Sequence, residues 1–136
     1  MKTIALVALG SAIGGTVRYL AVRWMDRLIA HRLPWGTIFV NVTGCLLIGL
    51  ISNWRRPNGE LMFGPEARAF LMTGLLGGYT TFSAFGLQTF QLSRNATWQA
   101  AALNVTITVV PCIIAVWAGY VLGELSRPRV LSMPNQ

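Results

Sequence analysis

The chain has 136 residues, of which 54% are hydrophobic and only 11% are charged. Soluble domains carry about 25% charged residues, so this composition excludes an ordinary water-soluble domain and indicates an integral membrane protein. The net charge of +7 is shared by many nucleic-acid-binding proteins. Here, however, the arginines stand singly or in pairs at the ends of apolar runs, where they anchor helices at the lipid headgroups. We expect one membrane domain over residues 1–136, with the lipid bilayer and no nucleic acid as its partner.

Four apolar stretches are long enough to cross the hydrocarbon core, which requires about 20 residues of helix. They cover residues 3–24, 35–54, 69–92 and 97–122, joined by short connections at 26–34, 55–68 and 93–96. The tail over 124–136 contains Pro128 and Pro134 and is expected to be frayed. The first stretch resembles a secretory signal in part, but we expect it to be retained because the remainder of the chain also spans the membrane. The sequence thus predicts an all-α protein with four transmembrane helices.

The distribution of basic residues leaves the membrane orientation open. With four spans, both termini and the 55–68 connection lie on one side, which carries Lys2, Arg55, Arg56, Arg68, Arg127 and Arg129. The opposite side carries Arg23, Arg27, Arg32 and Arg94. The positive-inside rule acts through such differences, and this one is small. Insertion in both orientations, which would permit an antiparallel homodimer, and one fixed orientation are both compatible with these charges.

Small residues and cysteines occur inside the spans. Glycines recur at four-residue spacing, which permits close approach between helices, in the pairs Gly10 and Gly14, Gly74 and Gly78, and Gly119 and Gly123. Cys45 and Cys112 both lie in apolar runs and are expected to be buried free thiols, with a disulfide between them as the alternative. The chain has one histidine, His31, and no cysteine–histidine cluster that would indicate a zinc site.

The polar groups predicted to lie inside the membrane are neutral, apart from Arg18. Asn41 and Thr37 share the second span, and Asn104, Thr108 and Cys112 recur every four residues along the fourth, which places them on one helix face. Such residues either hydrogen-bond between helices or line a polar path. No acidic residue lies inside a span, which argues against a proton-coupled cation exporter because that class requires a buried carboxylate.

The third span contains the most distinctive segment, Gly77-Gly78-Tyr79-Thr80-Thr81-Phe82-Ser83-Ala84-Phe85. Two glycines followed by two threonines form a poor continuous helix, so a break near the middle of the span is predicted. A break frees carbonyl oxygens, which is tolerated at membrane depth only where the backbone is buried in protein or lines a cavity. Freed carbonyls can coordinate a hard cation. Phe82 and Phe85 would share one face of the resumed helix, either as core residues or beside a path.

Three motifs together resemble the Fluc (CrcB-type) family of fluoride channels. Gly14-Gly15-Thr16-Val17-Arg18-Tyr19 resembles the first-helix motif of the family, and Pro34-Trp35-Gly36-Thr37-Ile38-Phe39-Val40-Asn41 resembles the beginning of its second helix. The segment from Gly74 to Phe85 resembles the broken third helix. The resemblance covers the whole chain in order, and the third motif is specific.

The resemblance implies a dual-topology antiparallel homodimer in the bacterial inner membrane that exports fluoride down its electrochemical gradient and gives fluoride resistance. It implies a central sodium ion held by the backbone carbonyls of Gly77 and Thr80 from both subunits. It also implies two fluoride paths, lined by Asn41, Phe82 and Phe85, with Ser83 and Thr37 beside them and Thr108 and Cys112 on a hydroxyl-bearing track of the fourth helix. Many relatives carry serine where Cys112 stands, and a thiol is a weaker donor.

The chemistry of these side chains suits a fluoride path. A pore must replace the hydration shell of the ion with donors without binding it too tightly to release. Asn41 offers N–H groups, serine and threonine offer hydroxyl groups, and phenylalanine presents positive potential at its ring edge. Arg18 would raise the local anion concentration near one end of the path, or would act only as a helix-end anchor.

Two other functions are compatible with a small four-span protein, and neither is an enzyme. A proton-coupled multidrug exporter requires a carboxylate in its first helix. Residues 4–25 contain none, and Asp26 lies at the end of the predicted span. A non-transporting membrane subunit would use Asn41 and the phenylalanines only for packing. The glycine pair followed by threonines at mid-span would weaken such a protein without benefit.

Overall fold

The computed structural model describes residues 1–29 and 32–126, and this part of the chain is helical without β-strands. The elements are α1 (Lys2–Leu28), α2 (Trp35–Asn53), α3 (Pro65–Arg68), a π-helix (Ala69–Leu76), α4 (Gly77–Tyr79), α5 (Phe82–Asn95) and α6 (Trp98–Leu125). The all-α prediction is confirmed.

Three of the four predicted spans are single helices that are long and apolar enough to cross a membrane, namely α1, α2 and α6. The remaining predicted span, the third in chain order over residues 69–92, is built from shorter pieces that begin at Pro65 and end at Asn95. Helices α1 and α6 extend past the predicted ends of their spans, because the apolar pattern stops before the helical backbone does. Helix α6 therefore includes Glu124 and Leu125. His31 and the remaining predicted tail, residues 127–136, lie outside the described residues.

Close helix packing within one chain accounts for the spaced glycines. A Cβ atom at Gly14 would overlap the carbonyl oxygen of Leu75, and one at Gly119 would overlap that of Leu46. Helix α1 thus packs on the π-helix and α4, while α2 packs along α6. Without side chains at these positions, the backbones approach closely, which is how helices associate in a medium that offers no hydrophobic driving force between them.

The helical backbone is interrupted after Tyr79. Thr80 (φ −84°, ψ 160°) and Thr81 (φ −152°, ψ 113°) are extended, and α5 begins at Phe82. We call Thr80 and Thr81 the extended segment. Thr81 also caps α5, because its hydroxyl accepts a hydrogen bond from the Ala84 amide at 3.2 Å. The extended segment leaves backbone polar groups without helical partners, and in the membrane these groups must be satisfied by side chains.

Candidate functional site

Asn41 supplies partners to the extended segment from the facing helix. Its Nδ2 donates to the carbonyl of Thr81 at 3.1 Å, and its Oδ1 accepts from the Thr81 amide at 2.8 Å. The two bonds pair the side chain with Thr81 much as a neighbouring strand would. Asn41 is buried, so this pairing takes place away from water. Because an amide nitrogen carries two N–H groups, one donor of Asn41 remains for another partner.

The backbone carbonyls of the two predicted sodium ligands, Gly77 and Thr80, have different environments. In a continuous α-helix the Gly77 carbonyl would accept from the Thr81 amide, but that amide bonds to Asn41 instead. The carbonyl of Thr80 accepts a hydrogen bond from Nη1 of Arg18 at 3.0 Å. Gly77 thus has a carbonyl released from helical bonding, while Thr80 has one of its two lone pairs occupied by a cationic side chain.

A first cavity of about 330 Å³ opens beside the extended segment. It brings together seven residues predicted to be at the site: Asn41, Gly77, Thr80, Phe82, Phe85, Thr108 and Cys112. The rings of Phe82 and Phe85 lie 5.4 Å apart between centroids and are tilted by 54°. Phe85 is buried at 7% exposure, whereas Phe82 is 81% exposed on the surface of the single chain. The described residues that line this cavity include no charged side chain.

Two polar side chains on α6, Asn104 and Thr108, are buried with hydrogen-bonding capacity left over, and Thr108 lines the first cavity. The hydroxyl of Thr108, a residue only 4% exposed, has no hydrogen-bond partner among the described residues. Asn104 is fully buried and donates to the Thr89 hydroxyl at 2.8 Å, but its Oδ1 has no partner in the described part of the chain. Buried polar groups are rarely left unsatisfied. Thr108 is also one of the residues that line the cavity, so a hydroxyl group with unused hydrogen-bonding capacity is buried at its wall.

Three predicted residues lie in a different place. Arg18, Thr37 and Ser83 line a second cavity of about 560 Å³. None of the predicted site residues lines both the first and the second cavity. Thr81 contributes to the walls of both cavities. The predicted residues are thus divided between two cavities that meet at the extended segment. Arg18 reaches this segment directly through its bond to the Thr80 carbonyl.

Comparisons with known proteins identify the family to which this arrangement belongs. A family model described as "CrcB-like protein, Camphor Resistance (CrcB)" matches residues 5–120. The chain belongs to the CrcB family. The fluoride-specific ion channel FluC of Paramagnetospirillum magneticum is 46% identical to it, over 92% of this chain and 98% of that protein. The corresponding channel of Rhodospirillum rubrum is 42% identical, over 94% and 99% respectively. A FluC 1 channel of Rhodopseudomonas palustris is 44% identical, over 88% and 84%.

The CrcB assignment covers every predicted site residue, since all of them fall within residues 5–120. Together with the three long apolar helices, it makes the chain a multi-pass bacterial membrane protein. The prediction of the family from the three motifs is confirmed.

Sequence reasoning missed two residues of this CrcB site. Thr81 was not singled out, although a threonine preceding the resumed helix is a recognisable N-cap, and it proves to pair with Asn41. Cys45 lines the first cavity beside Cys112. Its position could not be predicted, because its contact with α6 depends on the packing of two helices that are distant in the sequence.

Proposed function

We propose that this protein is a fluoride-selective channel that passes fluoride out of the bacterial cell down its electrochemical gradient and so confers fluoride resistance. The observation that carries the proposal is the first cavity, which has no charged side chain among its described lining residues and brings together Asn41, Phe82, Phe85 and Thr108 beside the extended segment. The relatives named above are called fluoride-specific ion channels, and that function comes to this chain as part of the proposal.

The first cavity offers what a small, strongly hydrated anion requires. Thr108 supplies an O–H donor and Asn41 retains an N–H donor. Phe82 and Phe85 present ring edges of positive potential. Because the described lining residues carry no full charge, fluoride would be held by several weak donors and released readily, as conduction demands. Cys112 lines the same cavity and offers a thiol, which is a weaker donor than a hydroxyl.

The second cavity extends the proposed path on the other side of the extended segment. Its lining combines the Arg18 guanidinium with the hydroxyl groups of Thr37 and Ser83. The N-terminus of α5, which begins at Phe82, also points its positive dipole end toward this region. We propose that Arg18 both holds the Thr80 carbonyl and attracts the anion to one end of the path.

Fluoride efflux from liposomes tests the proposal. Purified protein in liposomes loaded with potassium fluoride should release fluoride when a potassium ionophore is added, and liposomes loaded with potassium chloride should retain chloride. Ion-selective electrodes measure both. Equal release of the two anions would contradict the proposed selectivity. Release of neither by folded protein would contradict conduction and would favour a non-transporting role.

We further propose that the channel is an antiparallel, dual-topology homodimer with the extended segments of the two subunits facing each other. Phe82, Ile113 and Gly77 all line the first cavity and are exposed in the single chain, Phe82 at 81% and Ile113 at 66%, and we take these exposed lining residues as the rim of the cavity. A second copy covering this rim would close the cavity. The proposal also explains why a residue of the site, Phe82, is exposed in the single chain.

Dual insertion predicts a measurable topology. A reporter fused to the C-terminus should be found on both sides of the membrane, because the basic residues are nearly balanced. Two or three arginines added to the 26–34 connection should move the population to one side. A reporter found on a single side in the unmodified protein would contradict dual insertion, whatever the charge variants show.

The sodium ion predicted from the family resemblance remains a proposal, and the two predicted ligands suit it unequally. The Gly77 carbonyl lacks the Thr81 amide as its helical donor, so it is suited to a hard cation, which prefers oxygen ligands. The Thr80 carbonyl can contribute only through the lone pair that Arg18 leaves open. We propose that the bound sodium would neutralise converging carbonyl dipoles at the two-fold axis, and that Gly77 would provide the stronger contact.

A further inference from the structure

Two thiols line the same cavity of the membrane domain. Cys45 lies on α2 and Cys112 on α6, and the two helices pack along each other. Both are free thiols, both are partly exposed, and both line the first cavity. They lie on the wall of the first cavity, so an ion that enters the cavity reaches both sulfur atoms.

We propose that Cys45 and Cys112 form a binding site for a soft divalent metal ion that accepts two sulfur ligands, with Hg²⁺ as the type case. Thiolate sulfur selects soft metals, and the described residues contain no group of three or more histidine, cysteine or acidic side chains that would suit a harder ion. On binding, each thiol releases one proton to water and forms one metal–sulfur bond, with no change in oxidation state.

Charge balance favours a divalent ion over a monovalent one. Two thiolates and one divalent cation form a neutral complex, whereas Ag⁺ or Cu⁺ with the same ligands would leave a net negative charge. An uncompensated charge in an apolar environment is costly. The first cavity is lined mainly by apolar side chains, and its described lining provides no cation to compensate such a charge.

A metal ion bound to the two cysteines would block the proposed fluoride path in the first cavity. Cys112 lies one helical turn from Thr108, and both line the cavity with Phe85. An ion bound there would occupy space beside the unpartnered Thr108 hydroxyl and would block the passage of fluoride. Metal binding itself is independent of conduction, whereas the blocking effect depends on the proposed function.

Metal binding is tested on the intact protein in detergent. The protein is fully reduced, freed of reductant and titrated with HgCl₂, while sulfur-to-mercury charge-transfer absorption and free thiols are measured. We expect one Hg²⁺ per chain and the loss of both thiols together. The chain has only two cysteines, so C45S/C112S should bind none. Each single variant, C45S or C112S, should bind roughly 100-fold more weakly, because the second ligand is no longer held close to the first.

Three results would overturn the site: one Hg²⁺ per two chains, single variants that bind as tightly as the unmodified protein, or no charge-transfer absorption. The blocking effect is then tested in liposomes, with each variant compared with its own rate before metal. Stoichiometric Hg²⁺ should stop fluoride efflux in the unmodified protein and spare C45S/C112S. Inhibition of both alike would overturn the block. If efflux is absent before metal is added, the proposed function fails while the titration still decides the site.

Discussion

Replacing Gly77 by valine is expected to abolish both fluoride efflux and homodimer formation, while the single chain still folds. In the single chain Gly77 has ordinary helical dihedrals (φ −63°, ψ −35°), and the nearest atom to an added Cβ is the carbonyl oxygen of Met72 at 3.7 Å. The chain itself therefore tolerates a side chain there. A partner subunit that packs against the extended segment would not, because valine would separate the two backbones and block the released carbonyl.

Two matched glycine variants separate the effects of folding and assembly. Gly64→Val adds the same side chain to an exposed glycine of the 55–68 connection that has extended dihedrals and no atom within 4 Å, and should leave assembly intact. Gly14→Val forces a side chain into the backbone of Leu75 and should prevent folding, since overpacking costs about 1–3 kcal/mol or more. Single-molecule subunit counting in liposomes and thermal unfolding in detergent measure the two properties. A Gly77→Val protein that is dimeric and conducts normally would refute the proposed interface.

The sequence predicted the spans well because the membrane imposes a strong local constraint. A run of about 20 apolar residues crosses the bilayer as a helix whatever its neighbours are, and α1, α2 and α6 correspond to such runs. The π-helix at Ala69–Leu76 was not predicted. Its residues carry no local pattern that distinguishes π from α, and its shape accompanies backbone contact with α1, as at Gly74 beside Val7. That contact depends on tertiary packing.

For the candidate site, too, the sequence shows local preferences of the backbone but does not show which distant residues come together. The glycines and threonines after Leu76 indicated poor helix continuity, but not which residues become extended. That is fixed by Asn41, forty positions earlier, which bonds to the Thr81 backbone. The division of the predicted residues into two cavities likewise follows from how α5 packs against its neighbours. The presence of Cys45 and Cys112 on one cavity wall follows from how α2 packs on α6. Motifs name the residues, whereas long-range packing decides which of them meet.

Asn41→Leu is expected to abolish fluoride efflux by releasing the extended segment. The substitution removes both hydrogen bonds to Thr81 and leaves its amide and carbonyl without partners in an apolar environment. Each unsatisfied buried group costs about 1–3 kcal/mol. The segment should therefore rearrange, so that the Thr81 amide donates a helical hydrogen bond to the Gly77 carbonyl. In that state the Gly77 carbonyl is no longer released, and the first cavity loses its Asn41 donor.

Asn53→Leu is the matched control, because Asn53 is a buried amide on the same helix and donates to the Tyr120 carbonyl at 3.2 Å. It should lower the thermal unfolding temperature without stopping efflux per folded channel. Hydrogen–deuterium exchange of the peptide that contains Thr81 distinguishes the role of Asn41 as a backbone partner from a role as an ion ligand alone. Loss of efflux with faster or redistributed exchange at Thr81 supports the backbone role. Loss of efflux with unchanged exchange would show that Asn41 acts on the ion and that the extended segment holds its shape without it.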